Sequence, residues 1–401
     1  MGRITKVYEK MKAIILDMYG VIVQQAYMQR IKQLLKNKVV WIYLGIVMVI
    51  CLLNILAWNS TAFCDAYIAY VFPIWVNTYG RLTDLASFSV GEIMLGLAVV
   101  LAVLAMILWL PAMVCKQIRR VIVRFYKFLA WVILAVSLIM TLNCFILYHA
   151  TTFSVTYFGE DSEKEYSTEE FIAVRNMVVE ECNRLALLME RDAEGNIIYD
   201  KDIGGQAIVC MQQLGETYDR LKGYYPHPKP LYASDFFCQQ YMCGYYFPFS
   251  MEANYNDVMY IMNVPSTMCH ELAHLKGYIF EDEANFISFL ACIHSEDLVF
   301  QYSGYLSVLN YLDNDFYKVI SHDKETYLAQ PVISEQVKAD NIFVSDKEWD
   351  RINSKAVIDT ETVDKVSDIV VDTTLKVNGV QDGSISYSRV VELLLQYYQN
   401  N

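Results

Sequence analysis

Histidine, charged side chains and paired cysteines are all scarce in this sequence. Only six of its 401 residues are His, charged residues make up 19%, and none of its ten Cys forms a C-x-x-C pair. The missing pairs exclude the common cysteine-rich zinc modules, and the lack of internal repeats excludes solenoid arrays. By contrast, 55% of the residues are hydrophobic, which is high for a soluble protein and predicts membrane segments.

Three long apolar runs account for much of that hydrophobic excess. Each has about 20 residues almost free of charge, enough for a helix to cross the hydrocarbon core of a bilayer. We therefore predict a membrane-anchored, mainly α-helical chain with three transmembrane helices, at Val40–Trp58, Ile93–Val114 and Phe128–Tyr148. The lipid bilayer is thus the first predicted partner.

Basic residues flank these runs unevenly, and this predicts an orientation. The loop between the first two runs carries only Arg81. The ends expected inside carry Arg30, Lys32, Lys36, Lys38, Lys116, Arg119, Arg120, Arg124 and Lys127. Since basic ends stay in the cytoplasm, we predict a multi-pass protein of the cytoplasmic membrane. Its N-terminus lies inside and everything after the third span lies outside.

Charge divides the chain in the same way. Residues 1–150 hold 14 basic and 5 acidic side chains, whereas the remainder holds 18 basic and 40 acidic ones. An acidic outer domain argues against nucleic acid as a partner. The six Cys of this outer part lack the spacing of a disulfide framework, so we predict free buried thiols rather than three bridges.

The N-terminal residues 1–39 carry a misleading resemblance. Met11–Val23 resembles the first strand and nucleophile loop of haloacid-dehalogenase-type hydrolases, with Asp17 in the nucleophile position. That fold needs a doubly wound domain behind the strand, but the first span begins at Val40. We predict an inactive cytoplasmic segment here. The rest is predicted to divide into a transmembrane region (40–150), a catalytic domain (151–335) and a helical part packed on it (336–401).

One motif carries recognisable chemistry. His270 and His274 enclose Glu271 in an H-E-x-x-H pattern, which on a helix aims two imidazoles at one point. Pro265 predicts the start of that helix and Gly277 its end. Zn²⁺ is the predicted cofactor, since it lowers the pKa of a bound water towards about 7. Glu271, about 100° further round the helix, is predicted to be the general base.

A zinc hydrolase needs a third protein ligand and leaves one position for water. Glu281 is favoured, because Asn285 follows one turn later and can bond a ligating His. Glu283, about 200° away on the same helix, stays as the alternative. The donors that could stabilise an oxyanion are less defined in a chain with 30 Tyr. Candidates are Tyr302, Tyr305, Tyr387 and Arg389.

The elements around the motif can be predicted from pattern. A capping box at Ser167 opens a helix to about Glu190, and a second helix follows at about Gln206–Lys222. Residues 244–264 should be extended, with strands in the aromatic GYYFPFS and at Val258–Val264. That segment could hold an extended peptide by strand addition. Further helices are expected at about Glu281–Phe300 and Tyr387–Tyr398.

The motif residues resemble the gluzincin metallopeptidases, in which a ligand Glu stands four residues before an Asp or Asn. More closely, the chain resembles a bacterial membrane family, domain-of-unknown-function family 3810. The resemblance lies in the three spans and in the segments Gly244–Asn256, Cys269–Cys292, Tyr302–Tyr305 and Leu375–Tyr398. It implies a bacterial host, a zincin-like α+β outer domain with a small sheet before the site helix, and His270, Glu271, His274 and Glu281 as site residues.

These observations favour a membrane-anchored zinc peptidase that hydrolyses peptides or proteins at the cell surface. The alternative is a non-catalytic envelope protein, binding or regulatory, in which zinc only stabilises the fold. An intramembrane protease is disfavoured, because the motif lies more than 100 residues beyond the third span and outside any apolar run. A transporter is disfavoured because Glu92 is the only acidic residue near a span.

Overall fold

The computed structural model describes residues 36–114, 118–159, 166–377 and 389–400, together with the isolated positions 28 and 33. Most of the predicted cytoplasmic segment, including Asp17, lies outside the described residues, and so does Tyr387. Within them the chain is mainly helical and carries one small mixed sheet.

Three helices are long and apolar enough to cross a membrane, as predicted. They are α1 (Lys38–Asn59), α5 (Val90–Val114) and α6 (Arg119–Met140), and the third apolar stretch continues through short turns to His149. A helix suits these runs because it satisfies every backbone amide within the segment, where lipid offers no partner. The third span starts nine residues earlier than predicted, since the helix extends into its basic end.

The segment between the first two spans folds into short helices. They are α2 (Thr61–Tyr70), α3 (Phe72–Trp75) and α4 (Arg81–Thr83), with a π-helical turn at Val76–Gly80. This segment packs against residues far along the chain. Thr83 Oγ1 donates to the Ser250 carbonyl at 2.9 Å, and Asp84 accepts from the Tyr224 hydroxyl at 2.8 Å. The loop is therefore part of the body that carries the motif.

Helices α7 (Phe153–Tyr157), α8 (Thr168–Ala186) and α9 (Ile203–Thr217) follow the third span. The predicted capping box is confirmed: Ser167 accepts from the Glu170 amide, and the Glu170 carboxylate accepts from the Ser167 amide. Such reciprocal bonds satisfy two amides that the first helical turn leaves unpaired. Helix α8 ends at Ala186, four residues before the predicted end.

The sheet has three strands: β1 (Lys229–Pro230), β2 (Gly244–Phe247) and β3 (Glu252–Tyr255). Their order is β1-β3-β2, with β1 parallel and β2 antiparallel to β3. The predicted strand at Val258–Val264 is wrong. The Val258 amide instead donates to the side chain of Asn256, and Ile261–Asn263 forms a 3-10 turn that leads into the motif helix.

Helices α11 (Val264–His274), α12 (Glu281–Ile293) and α13 (Leu298–Val319) form the core around the motif. Helix α12 begins at Glu281 as predicted, but it ends at Ile293 rather than Phe300, because Asp297 caps a new helix by accepting from the Val299 amide. The remaining helices are α10 (Ser234–Cys238), α14 (Lys324–Leu328), α15 (Glu335–Asp340), α16 (Asp346–Lys355), α17 (Thr360–Val377) and α18 (Arg389–Asn400). The nine described cysteines are free thiols, including the six of the outer part for which buried free thiols were predicted; five of those six are buried and Cys243 is partly buried.

The sheet is fixed to the membrane-spanning helices. The buried Glu252 carboxylate accepts from the Val90 and Gly91 amides, which open α5, and it pairs with the buried Lys229 ammonium. Asn143, near the end of the third span, donates to the Pro248 carbonyl at 2.8 Å. Buried charges of this kind are tolerated only when they are paired and hydrogen-bonded, so these contacts hold β2 and β3 in one position relative to the spans.

Candidate metal centre

The motif helix α11 aims two imidazoles in one direction. Its four-residue spacing brings His270 and His274 to the same face, one turn apart. The helix stops after His274 because Gly277 takes a left-handed conformation with φ +83°, and its amide donates to the His274 carbonyl. Glycine adopts this conformation without the penalty that other residues carry. The chain can therefore turn back sharply to Glu281.

Three side chains converge at the end of this turn. The Nε2 atoms of His270 and His274 are 3.1 Å apart, and Glu281 Oε2 lies 3.0 Å from His270 Nε2. Glu281 Oε1 lies 3.9 Å from His274 Nε2. Two nitrogens bound to tetrahedral Zn²⁺ at about 2.05 Å would be roughly 3.3 Å apart. The cluster can therefore hold a metal ion with little movement.

The outer nitrogen of each ring is held by an acceptor. His270 Nδ1 lies 2.9 Å from Asn285 Oδ1, and His274 Nδ1 donates to the Tyr278 carbonyl at 2.6 Å. A neutral imidazole that donates from Nδ1 keeps the lone pair of Nε2 for a metal. Each ring thus has an acceptor at its outer nitrogen, which is the arrangement in which a neutral imidazole presents Nε2 to a metal. Asn285 occupies the position that the sequence predicted, whereas the Tyr278 carbonyl has no sequence signal.

Arg220 holds the turn between the histidines and Glu281. Its Nε donates to the Lys276 carbonyl at 3.0 Å, and its guanidinium lies 3.9 Å from the centre of the Tyr278 ring. These contacts order the six residues between His274 and Glu281. Sequence reasoning missed Arg220, because it is distant along the chain and belongs to no motif.

Glu271 lies beside the cluster but outside it. Its side chain is 4% exposed, and its Oε2 has no hydrogen-bond partner. A buried carboxylate oxygen without a partner is costly, so this atom is expected to face a bound group or water. Burial raises the pKa of Glu271 to about 8. Strand β2 passes so close that a Cβ on Gly244 would lie 2.9 Å from Glu271 Oε1 and 2.4 Å from the Asn254 carbonyl.

The charges of the cluster oppose one another. Burial disfavours the charged form of Glu281, but hydrogen bonding and the charge of His270 outweigh it and lower the pKa of Glu281 to about 2. Glu281 in turn overcomes the effect of burial on His270 and raises its pKa to about 9. Burial lowers the pKa of His274 to about 4. An ionised carboxylate thus faces one protonated and one neutral imidazole, and a divalent cation would take the place of the His270 proton.

A cavity of about 970 Å³ opens onto the cluster. Strand β2 and the residues before it form one wall, and part of helix α17 forms another. Sequence reasoning missed two residues in its lining, Cys243 and Tyr311. Burial raises the pKa of Tyr311 to about 12, helped by the charge of Glu281, so this tyrosine keeps its proton. Its only sequence signal would have been its position on the helix after α12.

Comparison with known proteins assigns the chain to a family. A family described as "Protein of unknown function (DUF3810)" matches residues 67–395. The chain belongs to the DUF3810 family. No curated protein and no solved structure matches it. The DUF3810 match begins within α2, so it includes most of the inter-span segment, the second and third spans and the cluster of His270, His274 and Glu281, while the first span lies outside it.

Apart from Tyr387, which lies outside the described residues, the other predicted site residues of this DUF3810 member have partners outside the cluster. Glu283 accepts a hydrogen bond from the Phe153 amide, so it faces α7 rather than the histidines. The Tyr302 hydroxyl donates to Asp340 at 2.9 Å, which directs it away from the cavity. Tyr305 packs on Phe289. Arg389 faces Asp282 instead. Burial raises the pKa of Asp282 to about 6, and the positive charge of Arg389 opposes that rise.

Replacing Asn285 tests the support of His270. We expect Asn285→Ala to weaken metal binding by about 10- to 100-fold, because losing such a supporting hydrogen bond lets the ligand ring rotate. Asn285→Asp keeps an acceptor and should retain affinity. Competitive titration against a chromophoric chelator would measure both. Equal affinities for Asn285→Ala and the unchanged protein would show that Asn285 does not orient the ligand.

Proposed function

We propose that this protein is a membrane-anchored, zinc-dependent metallopeptidase that hydrolyses peptide bonds outside the cytoplasmic membrane. One observation carries the proposal: the buried, unpartnered oxygen of Glu271 borders the same cavity as the His270, His274 and Glu281 cluster. A purely structural metal site has no use for such a carboxylate and prefers a fourth protein ligand. Among the described residues, no fourth His, Cys, Asp or Glu joins the cluster.

The donor set fits zinc. Two imidazole nitrogens and one carboxylate are the ligands of many catalytic zinc sites, which keep one position open. Zn²⁺ bound there would polarise the scissile carbonyl and make water more acidic. The remaining roles belong to the chain itself. The helix, turn and strand around the cluster also support a zincin-like interpretation of this part of the chain.

Glu271 is proposed to move the proton. Burial brings its pKa closer to neutrality than that of an exposed glutamate, which suits a group that takes a proton from the attacking water and then gives it to the leaving amine. Because the side chain is buried, the proton is not lost to bulk solvent between the two steps. Tyr311 keeps its own proton and lines the cavity, so its hydroxyl is proposed to donate to the developing oxyanion.

Strand β2 is proposed to hold the substrate. It stands at the end of the strand order, paired only with β3 among the described strands, and Gly244–Tyr246 line the cavity. An extended peptide could add to its open edge and lie across the cluster. The described lining of the cavity contains no Lys or Arg to bind a free carboxylate. Cleavage within a chain is therefore favoured over removal of C-terminal residues.

The test uses the full chain in lipid nanodiscs and a mixture of peptides of varied sequence, read by mass spectrometry. We expect internal cleavage that stops when a chelator removes the metal and returns with about one equivalent of Zn²⁺. Peptides with amidated C-termini should be cleaved as well as free ones. Tight binding of one zinc without cleavage of any peptide would instead support the non-catalytic envelope protein.

A further inference from the structure

The end of the third span forms part of the cavity that contains the metal cluster. Met140, Cys144 and Tyr148 line it together with His270 and Glu271. These three residues follow one another along the stretch in which α6 passes into a π-helical turn at Thr141–Phe145 and a 3-10 turn at Leu147–His149. More than 100 residues separate them from the motif in sequence, yet they border the same space.

Contacts between the spans place this wall relative to the bilayer. Asn54 on α1 donates to Thr141 at 3.0 Å, and Trp58 contacts the ring of His149. Helix α1 has 22 residues, about 33 Å, which matches the hydrocarbon thickness of about 30 Å. Its end at Asn59 therefore marks the bilayer face. Thr141, level with Asn54, lies about one turn below that face, and so does the neighbouring Met140.

The opposite wall of the cavity is fixed at the same level. Gly91, at the start of the second span, touches strand β2 so closely that a Cβ there would lie 2.5 Å from the Phe247 ring. The Tyr246 hydroxyl donates to the Asn143 carbonyl at 3.2 Å. Strand β2 thus rests on the ends of the second and third spans.

The inter-span segment exposes the residues expected at a lipid interface. Tyr70 is 78% exposed, Leu82 65% and Leu85 84%. Large apolar side chains in such a group usually mark a surface that water does not cover. Leu82 and Leu85 stand only a few residues before Val90, where the second span begins, so the nearest surface of this kind is the lipid interface beside that span. The body that carries the cluster thus lies on the bilayer.

We propose that the substrate is a polypeptide anchored by an apolar segment in the same bilayer, cut a few residues from where it leaves the membrane. This rests on the proposed peptidase function and specifies its substrate class. A cavity of about 970 Å³ is about 12 Å across if nearly spherical, a distance that an extended chain covers in about four residues. A chain that rises along Met140, Cys144 and Tyr148 reaches β2 and the cluster within that length.

The test reconstitutes the full chain with zinc in phospholipid vesicles containing a substrate with one spanning helix. A sequence cleaved in the peptide screen is placed about 4, 10 or 30 residues from that helix, and the same sequence is supplied without an anchor. We expect cleavage of the nearest site to be at least tenfold faster than that of the farthest. Anchoring alone concentrates all three anchored substrates on the membrane, so the dependence on distance is the decisive measurement.

A matched pair of variants tests the proposed path. Met140→Trp fills the membrane side of the cavity, whereas Val136→Trp places the same ring one turn earlier, at a residue 41% exposed and outside the cavity lining. We expect Met140→Trp to slow cleavage of the nearest site at least fivefold, and Val136→Trp to leave it unchanged, with equal metal content in both. Equal rates in the two variants would contradict the path.

The outcomes separate this inference from the function on which it rests. Equal cleavage at all three distances, or cleavage of the unanchored peptide as fast as the nearest anchored site, would overturn the substrate class and leave the peptidase standing. No cleavage of any substrate, with zinc bound, would overturn both.

Discussion

Glu271→Gln is expected to abolish peptide hydrolysis while the protein still binds one zinc ion. Glutamine keeps the size of the side chain but cannot accept a proton, and Glu271 contacts neither histidine nor Glu281 through a hydrogen bond in the structure. General-base catalysis contributes about 10²- to 10⁴-fold, so cleavage should fall by at least about 100-fold. Zinc content by atomic absorption and kcat/KM on one cleaved peptide would be measured on the same sample.

Glu283→Gln is the matched control for this variant. Glu283 is 5% exposed against 4% for Glu271. It follows Glu281 by two residues on α12, but it accepts from the Phe153 amide and faces away from the histidines. Glutamine retains an oxygen that can accept that bond. This control should keep both zinc and activity. Hydrolysis by Glu271→Gln at the unchanged rate would refute the proposed role of Glu271.

Loss of a proposed ligand is expected to remove the metal itself. His274→Ala and Glu281→Gln should each weaken zinc binding by more than the roughly 10- to 100-fold that a supporting residue contributes. The reason is geometric: each supplies one of three atoms that lie within 4.8 Å of one another. Affinity would be measured by chelator competition, and folding by the thermal unfolding of the metal-free protein.

Each of these two variants has a control that makes the same substitution at a residue outside the cluster: His294→Ala for His274→Ala, and Glu283→Gln for Glu281→Gln. His294 also lies at the end of a helix, where its Nδ1 donates to the Leu290 carbonyl, but it stands outside the cluster. His294→Ala should keep zinc affinity, and so should Glu283→Gln. If Glu283→Gln lost zinc while Glu281→Gln kept it, the third ligand would be Glu283, the alternative that the sequence left open.

The spans and the motif could be predicted because each depends on local sequence. An apolar run of bilayer length has few other uses, and the four-residue spacing of His270 and His274 fixes their common direction on any helix. The nearness of Glu281 also follows locally, because Gly277 permits the tight turn. Asn285 beside His270 follows from one helical turn on α12.

A small sheet with a strand in GYYFPFS could be predicted, but the pairing of its strands and the cavity beside them could not, because the partners are distant in sequence. Strand β3 carries buried Glu252 and Asn254, which fall between the two strands expected within residues 244–264. Only the structure shows that Lys229 and the Val90 amide pair with Glu252. Tyr311 had no distinguishing signal among 30 tyrosines. The distance of the motif from the third span suggested separation from the membrane, whereas Cys144 and His270 line one cavity.

The bonds from Glu252 to the start of the second span also bear on biosynthesis. The ribosome synthesises Val90 and Gly91 more than 160 residues before Glu252. The two amides therefore lack this hydrogen-bond acceptor until strand β3 has been made. A chain that failed to insert its second span would present no such cap, and β3 would fold with a buried carboxylate short of partners. The strands beside the cluster of His270, His274 and Glu281 are thus completed only when the start of the second span is in place, so the folding of this region depends on that span.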